Sequence, residues 1–222
     1  MNALIFPVLI SFTAVLALGP AVIPMLQKLK FGQVVRDDGP ESHLKKTGTP
    51  TMGGVLIIAA VFASILIMVR YYDPYTTVAI IAVLGFGLVG AADDYLKITK
   101  KNSKGLRAWQ KLLLQAVLAA VIAVYAYKHV GSSILIPFTN IQWDLDIFIV
   151  PFMILVILFM VNSVNLTDGL DGLASSVSVA YFGAYSLVFL NGILPSGENL
   201  MVISAAFTGA CLGFLRFNRF PA

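Results

Sequence analysis

Charge is scarce in this chain. Asp, Glu, Lys and Arg make up 12% of its 222 residues, against 59% hydrophobic, whereas soluble domains carry roughly 25% charged and about 45–50% apolar residues. That shortage excludes an ordinary soluble globule, and no nucleic-acid partner is expected. Cysteine is nearly absent: Cys211 stands alone and cannot close an internal disulfide. The two histidines, His43 and His129, fall on opposite sides of the membrane in the topology derived below, so no zinc spacing exists. No Walker phosphate loop is present. The N-terminal "MNALIF" has no positive n-region, and its apolar run is too long for a signal-peptide core, so it reads as a retained span.

What the chain has instead is long apolar runs. Seven candidate spans lie at roughly 3–26, 50–69, 75–92, 110–127, 147–163, 173–190 and 199–215, each close to the length a bilayer requires. The expectation is an all-α polytopic membrane protein forming one helical domain over 1–222. Its cations set the orientation. Thirteen of the 15 basic residues fall in 27–49, 93–111 and the C-terminal end, segments that alternation places on one side. Short cytoplasmic loops retain Lys and Arg, so that side is the cytoplasm and the N-terminus is outside. On the outer side, "SSILIPFTNIQWDLD", 132–146, alternates weakly and reads as a short β-hairpin.

"GFGLVG", 85–90, matches the dinucleotide fingerprint but lies inside a span, where small residues serve close helix packing. Three other passages depart from loop composition, all on the cytoplasmic side. "HLKKTGTPTMGG", 43–54, offers backbone N–H groups, Thr49, Thr51 and Lys46 to an anion; its plainer reading is a positive-inside anchor with a turn. In "GAADDYLK", 90–97, Asp93 and Asp94 end the third span, where the helix dipole is already negative. Lys97 offsets Asp94 at i,i+3 and leaves Asp93 unexplained, whereas a hard cation such as Mg²⁺ accounts for both. In "VNSVNLTDGLDGLASS", 161–176, Asp168 and Asp171 stand three apart at the start of the sixth span and would share a helix face. Capping by Thr167 or Asp168 explains part of this, but not Asn162, Asn165 and two glycines besides. Four carboxylates facing many lysines at one membrane boundary suit a divalent metal and a phosphate-bearing substrate, hence phosphoryl transfer.

Taken in order, "KTGTPTMGG" (46–54), "DDYLK" (93–97), "NSVNLTDGLDGLA" (162–174) and "GFLRFNRFPA" (213–222) resemble the signatures of the polyprenyl-phosphate N-acetylhexosamine-1-phosphate transferase superfamily, most closely its phospho-N-acetylmuramoyl-pentapeptide transferase branch. The resemblance covers essentially the whole chain. It implies transfer from UDP-MurNAc-pentapeptide to undecaprenyl phosphate at the cytoplasmic face of a bacterial membrane, with Mg²⁺, release of UMP and a homodimer. By motif position it implies catalytic Asp93, Asp94, Asp168 and Lys46, with Asp93 and Asp94 on the metal. Asn165, Gly169, Leu170, Asp171, Asn218, Thr51 and Lys97 are implied in substrate binding, Asp171 toward uracil. The family pattern continues past Ala222 with a third metal-binding aspartate, a His-rich loop and about ten hydrophobic spans in all. This implies a truncated chain that cannot complete the reaction alone. A sister enzyme using UDP-GlcNAc is the nearest alternative. A transporter is more remote, since its acids would lie near the bilayer midplane.

Overall fold

A computed structural model describes residues 2–28, 52–100, 105–139, 141–191 and 197–219. Seven α-helices appear there: α1 (Asn2–Lys28), α2 (Gly54–Met68), α3 (Pro74–Lys100), α4 (Ala108–His129), α5 (Ile149–Thr167), α6 (Leu173–Leu190) and α7 (Gly197–Asn218). All but α2 are long and apolar enough to cross a membrane. Helix α2, at 15 residues, rises only about 22 Å against a hydrocarbon core of about 30 Å. The expected seven spans are therefore six long ones and a shorter apolar helix. One side of that shorter helix packs into the protein, with Leu56, Ala60, Val61, Ser64 and Ile65 buried, while Leu66 and Ile67 are exposed.

The core lies between α1, α2 and α7, where Val15, Leu56, Ile65, Met201, Ala206 and Ala210 close on one another. What lets α1 and α7 approach so closely is the pair Gly209 and Gly213. A Cβ on Gly209 would strike the Val8 carbonyl, and one on Gly213 would come within 3.0 Å of the Phe12 carbonyl. This is the small-residue spacing by which helices in lipid bring their backbones together. Between α1 and α2 the buried hydroxyls of Ser11 and Ser64 both donate to the Pro7 carbonyl, at 2.9 and 3.2 Å. Two of the fingerprint-like glycines also serve packing: Gly85 lies against Leu118 of α4 and Gly87 against Ile58 of α2. Large side chains such as Leu66, Leu88 and Phe159 are exposed on the outside of the bundle, the surface that lipid would cover.

Polar contacts gather at the two ends. At one end Asp73 caps α3: it accepts the Thr76 N–H at 2.8 Å and the Thr76 hydroxyl at 2.9 Å. Asn199 of α7 donates to the same carboxylate at 2.7 Å and to the Tyr71 carbonyl at 3.1 Å. The expected hairpin is present between α4 and α5. Strands β1 (Ser133–Leu135) and β2 (Gln142–Asp144) pair antiparallel, with Ile134 opposite Trp143. The opposite end carries the acidic and amide motifs.

Candidate active site

Helix α3 does not stop at its aspartates. It runs on to Lys100, so Asp93 and Asp94 lie inside the helix and not in its last turn as the sequence suggested, and the dipole there weighs less against them. Asp93 is 19 residues along α3, about 29 Å from its start at 1.5 Å per residue, which sets it at a membrane boundary. Successive residues diverge by about 100°: Asp93 turns inward and is buried, while Asp94 is only half-buried.

Burying a carboxylate is costly unless it is paired and hydrogen-bonded, and Asp93 is both. Lys97, one helical turn on, lies 2.9 Å from its Oδ2, and Lys111 of α4 lies 3.8 Å from the same oxygen. The other oxygen, Oδ1, accepts the backbone N–H of Leu106 at 2.8 Å. That last bond depends on glycine. Gly105 has φ +46°, and a Cβ there would strike Asp93 Oδ1 and crowd the Lys97 side chain. Lys97 also reaches Asp94 Oδ1 at 3.0 Å. The pairing of Lys97 with Asp94 expected from spacing is thus present, and Asp93 has partners of its own. Two carboxylates and two ammonium groups give a cluster with no net charge.

Lys111 then joins α3 to α5, since its ammonium donates to Asn165 Oδ1 at 3.2 Å. One turn further, Asn162 donates to the side chain of Gln115 at 3.0 Å, and Gln115 is almost wholly buried. These rungs tie two otherwise apolar helices at the point where a cavity of about 250 Å³ opens. The cavity is lined by Gly90, Lys111, Gln115, Asn165, Asp168 and Ala174, among apolar neighbours from α3 and α5. Four helices, α3 to α6, contribute to one pocket. Gly90, the last glycine of the fingerprint-like run, has nothing within 4 Å of where a Cβ would stand, so its absent side chain leaves space and serves no packing contact.

The passage around Asp168 differs from the helical expectation. Helix α5 ends at Thr167 and α6 begins only at Leu173, so Asp168 and Asp171 lie in the turn between them and share no helix face. Nor does Thr167 or Asp168 cap α6. The cap position belongs to Gly172, at φ +75°, and the Thr167 hydroxyl bonds back to the Ser163 carbonyl at 2.9 Å. Gly172 is left-handed because this turn is laid against the end of α7: a Cβ there would meet the Asn218 carbonyl and Leu215 at 3.3 Å each. The turn and Asn218 are thereby neighbours. Asp168, Gly169 and Leu170 are exposed, and Asp171 is half-buried.

Lys97 therefore joins Asp94 to Asp93, Lys111 joins Asp93 to Asn165, Asp168 lines the same pocket, and the turn carrying Gly169, Leu170 and Asp171 adjoins Asn218. Lys46 and Thr51 lie outside the described residues. Gly53, at the N-cap of α2, packs on Phe214 of α7, four residues before Asn218. From sequence Lys111 reads only as a loop cation, and Gln115 draws no notice. The signal is nevertheless present: on an apolar helix the two stand at i,i+4, a polar stripe that costs too much in lipid to be idle.

Among the described residues no group of three His, Cys, Asp or Glu side chains could hold a metal. Asp93 and Asp94 do converge on a single cationic centre, the Lys97 nitrogen, at 2.9 and 3.0 Å. A pair of carboxylates that meets one cation in this way fits Mg²⁺, which is commonly held by one or two carboxylates together with substrate phosphates.

Residues 76–222 match glycosyl transferase family 4, and residues 46–58 match the first phospho-N-acetylmuramoyl-pentapeptide-transferase signature. A phospho-N-acetylmuramoyl-pentapeptide-transferase of Thermoanaerobacter sp. (strain X514) is 47% identical over 224 residues, covering 100% of this chain and 69% of the relative. Proteins of the same name from Clostridium kluyveri and Clostridioides difficile (strain 630) are each 45% identical, covering 100% of this chain and 70% and 69% of their own lengths.

Proposed function

Because the chain belongs to glycosyl transferase family 4 and carries the phospho-N-acetylmuramoyl-pentapeptide-transferase signature, we propose that it makes lipid I and UMP from UDP-MurNAc-pentapeptide and undecaprenyl phosphate. The observation that carries this reading is the Lys111 ammonium, held between Asp93 of α3 and Asn165 of α5, with Lys111 and Asp168 both lining one pocket. A phosphoryl transfer needs cations beside the phosphates and fixed carboxylates behind the cations. Both are present at one membrane boundary.

In the reaction a lipid-phosphate oxygen attacks the phosphorus that bears the sugar, the bond from that phosphorus to the bridging oxygen breaks, and UMP departs with the electron pair. Lys97 and Lys111 offset phosphate charge, and Asp93, buried and clamped by the Leu106 N–H, fixes where those two ammonium groups stand. A phosphomonoester with a second pKa of about 6 is largely ionised near neutral pH, so attack by the dianion needs position more than deprotonation. Mg²⁺, when held by Asp93 and Asp94, supplies further neutralising charge for the diphosphate. Lys46 and Thr51 contribute to the diphosphate side. The turn with Gly169, Leu170 and Asp171, next to Asn218, receives the nucleotide, with Asp171 toward uracil. On this reading the site faces the cytoplasm, the protein lies in the bacterial plasma membrane, and it works as a homodimer.

The test is UMP release by the full-length protein in detergent with Mg²⁺ and undecaprenyl phosphate, offering UDP-MurNAc-pentapeptide and UDP-GlcNAc separately. Release from the muramoyl donor alone is expected. Release from UDP-GlcNAc alone would reassign the donor, and release from neither would sink the reading.

A further inference from the structure

The end of the bundle remote from the carboxylates carries a feature that phosphoryl transfer does not use. Side chains alternate across a strand, and with Ile134 opposite Trp143 the two share one face of the hairpin. The Ile136 N–H donates to the Ile141 carbonyl at 3.0 Å, so the pairing runs one step further and adds Ile136 and Ile141 to that face. The other face carries Ser133, Gln142 and Asp144, with Leu135 its single apolar member. This two-stranded ribbon therefore has an apolar side of four residues. That side is left partly open: Ile134 and Ile136 are half-buried, and Trp143 and Ile141 are more than half exposed.

The tip sharpens the point. Phe138 is fully exposed and has φ +63°, a left-handed conformation unfavourable for an aromatic residue. An isolated two-stranded hairpin is at best marginally stable in water, so a bare apolar face and an aromatic tip would not hold there unaided. The ribbon is also tethered low. Strand β1 starts four residues after the end of α4, and β2 ends two residues before the span that opens at Asp146. Tyr127, in the last turns of α4, donates to Asp146 Oδ1 at 2.8 Å. Asp144 Oδ1 accepts from Ser132 at 2.5 Å and from the Asp146 N–H at 3.0 Å. These bonds tie the base of the hairpin to the ends of two membrane-crossing helices.

We infer that this hairpin lies on the bilayer and sinks the face of Ile134, Ile136, Ile141 and Trp143, with Phe138 at its tip, into the interfacial zone of the leaflet opposite the carboxylate site. Trp concentrates at that depth because its ring is apolar at one end and polar at the other. Ile and Trp on one side of a flat element, with Ser133, Gln142 and Asp144 on the other, are what an interfacial element presents to lipid. The occupant of the apolar face is thus lipid, and the hairpin acts as a lateral brace that fixes the tilt of α4 and α5, the helices that carry Lys111 and Asn165.

The experiment uses the chain's two tryptophans, Trp109 and Trp143. In the Trp109→Phe variant, reconstituted in phosphatidylcholine nanodiscs with and without lipids brominated near the head of the acyl chain, Trp143 should emit at short wavelength. Shallow bromines should remove the larger part of that emission, and bromines near the bilayer centre much less. A second measurement does not need Trp109 replaced. A nitroxide at Phe138→Cys, in a Cys211→Ala background, should collide with oxygen more often than with a water-soluble nickel chelate. Water-like emission with free access of the chelate would overturn the inference. So would short-wavelength emission that bromine leaves untouched, since that would mean a protein segment or a second copy covers the face.

Discussion

At the scale of single residues, the feature of most consequence is the buried Asp93 carboxylate, with Lys97 and Lys111 on one oxygen and the Leu106 N–H on the other. Replacing it by Asn keeps the shape and the acceptor oxygen but removes the charge that positions both lysines. UMP release by Asp93→Asn is expected to fall roughly 10²- to 10³-fold, the scale of losing one preorganised electrostatic group. The protein should elute from size exclusion as before; unchanged turnover with normal expression would remove Asp93 from the mechanism. Lys111→Gln tests the bridge between helices. A hydrogen bond to a charged group is worth about 1.5–3 kcal/mol, so activity should drop about 10- to 100-fold, while Lys111→Arg, which keeps the charge, should retain part of it. Sequence already singled out Asp93, because nothing local accounted for it. Lys111 was hidden among basic neighbours, since the positive-inside rule explains any lysine near a membrane and so distinguishes none of them.

At the scale of elements, helix ends and helix crossings decide what sequence could and could not show. Hydropathy placed α6 at its observed bounds, 173–190, because lipid demands an apolar stretch of set length. It ended α3 eight residues early, because Lys and Asp in the last turns lower hydropathy without breaking a helix. The α1–α7 crossing depends on Gly209 and Gly213, and Gly209→Leu should drive a side chain into the Val8 carbonyl. Overpacking of this kind costs about 1–3 kcal/mol or more, to be read as a lower midpoint of thermal unfolding in detergent. The Asp73 cap gives a pH dependence with a definite sign. Burial pushes its carboxyl upward, but bonds from the Thr76 N–H, Asn199 and the Thr76 hydroxyl outweigh that and leave it below the ordinary carboxylate value of 3.8. A carboxyl depressed by folding contributes stability that is full above its unfolded pKa and is lost as pH falls through its folded one. The wild-type advantage over Asp73→Asn should therefore be complete near pH 6 and shrink below about pH 4; an advantage unchanged at low pH would rule out the cap as its source.

For the whole molecule, polarity is sorted by end. Capping and the hairpin occupy one end; the lysine–carboxylate cluster, the pocket and the 168–172 turn occupy the other. Such sorting suits an enzyme that takes one substrate from water and one from lipid at a single face. On the proposed reading a divalent cation completes the charge balance once a diphosphate enters. Chelation by excess EDTA should then stop UMP release and added Mg²⁺ should restore it; full activity after exhaustive chelation would show that the lysines suffice. A transporter would place its acids near midmembrane, and Asp93, about 29 Å along α3, is not there.

Residue order alone was enough for the helical membrane class, the number and approximate place of the apolar segments, the hairpin and the three passages whose polar composition sets them apart from ordinary loops. Those follow from local rules, because lipid tolerates only satisfied backbone and apolar side chains over a fixed thickness. The rest came from how the helices pack. Packing set Lys111 between Asp93 and Asn165, residues 18 and 54 positions away from it along the chain, and Gly105 against a carboxylate. It also laid the Asp168–Gly172 turn against the end of α7. Each of these depends on which helix lies beside which, and in lipid that choice comes from small residues and a few polar rungs whose partners are distant in sequence.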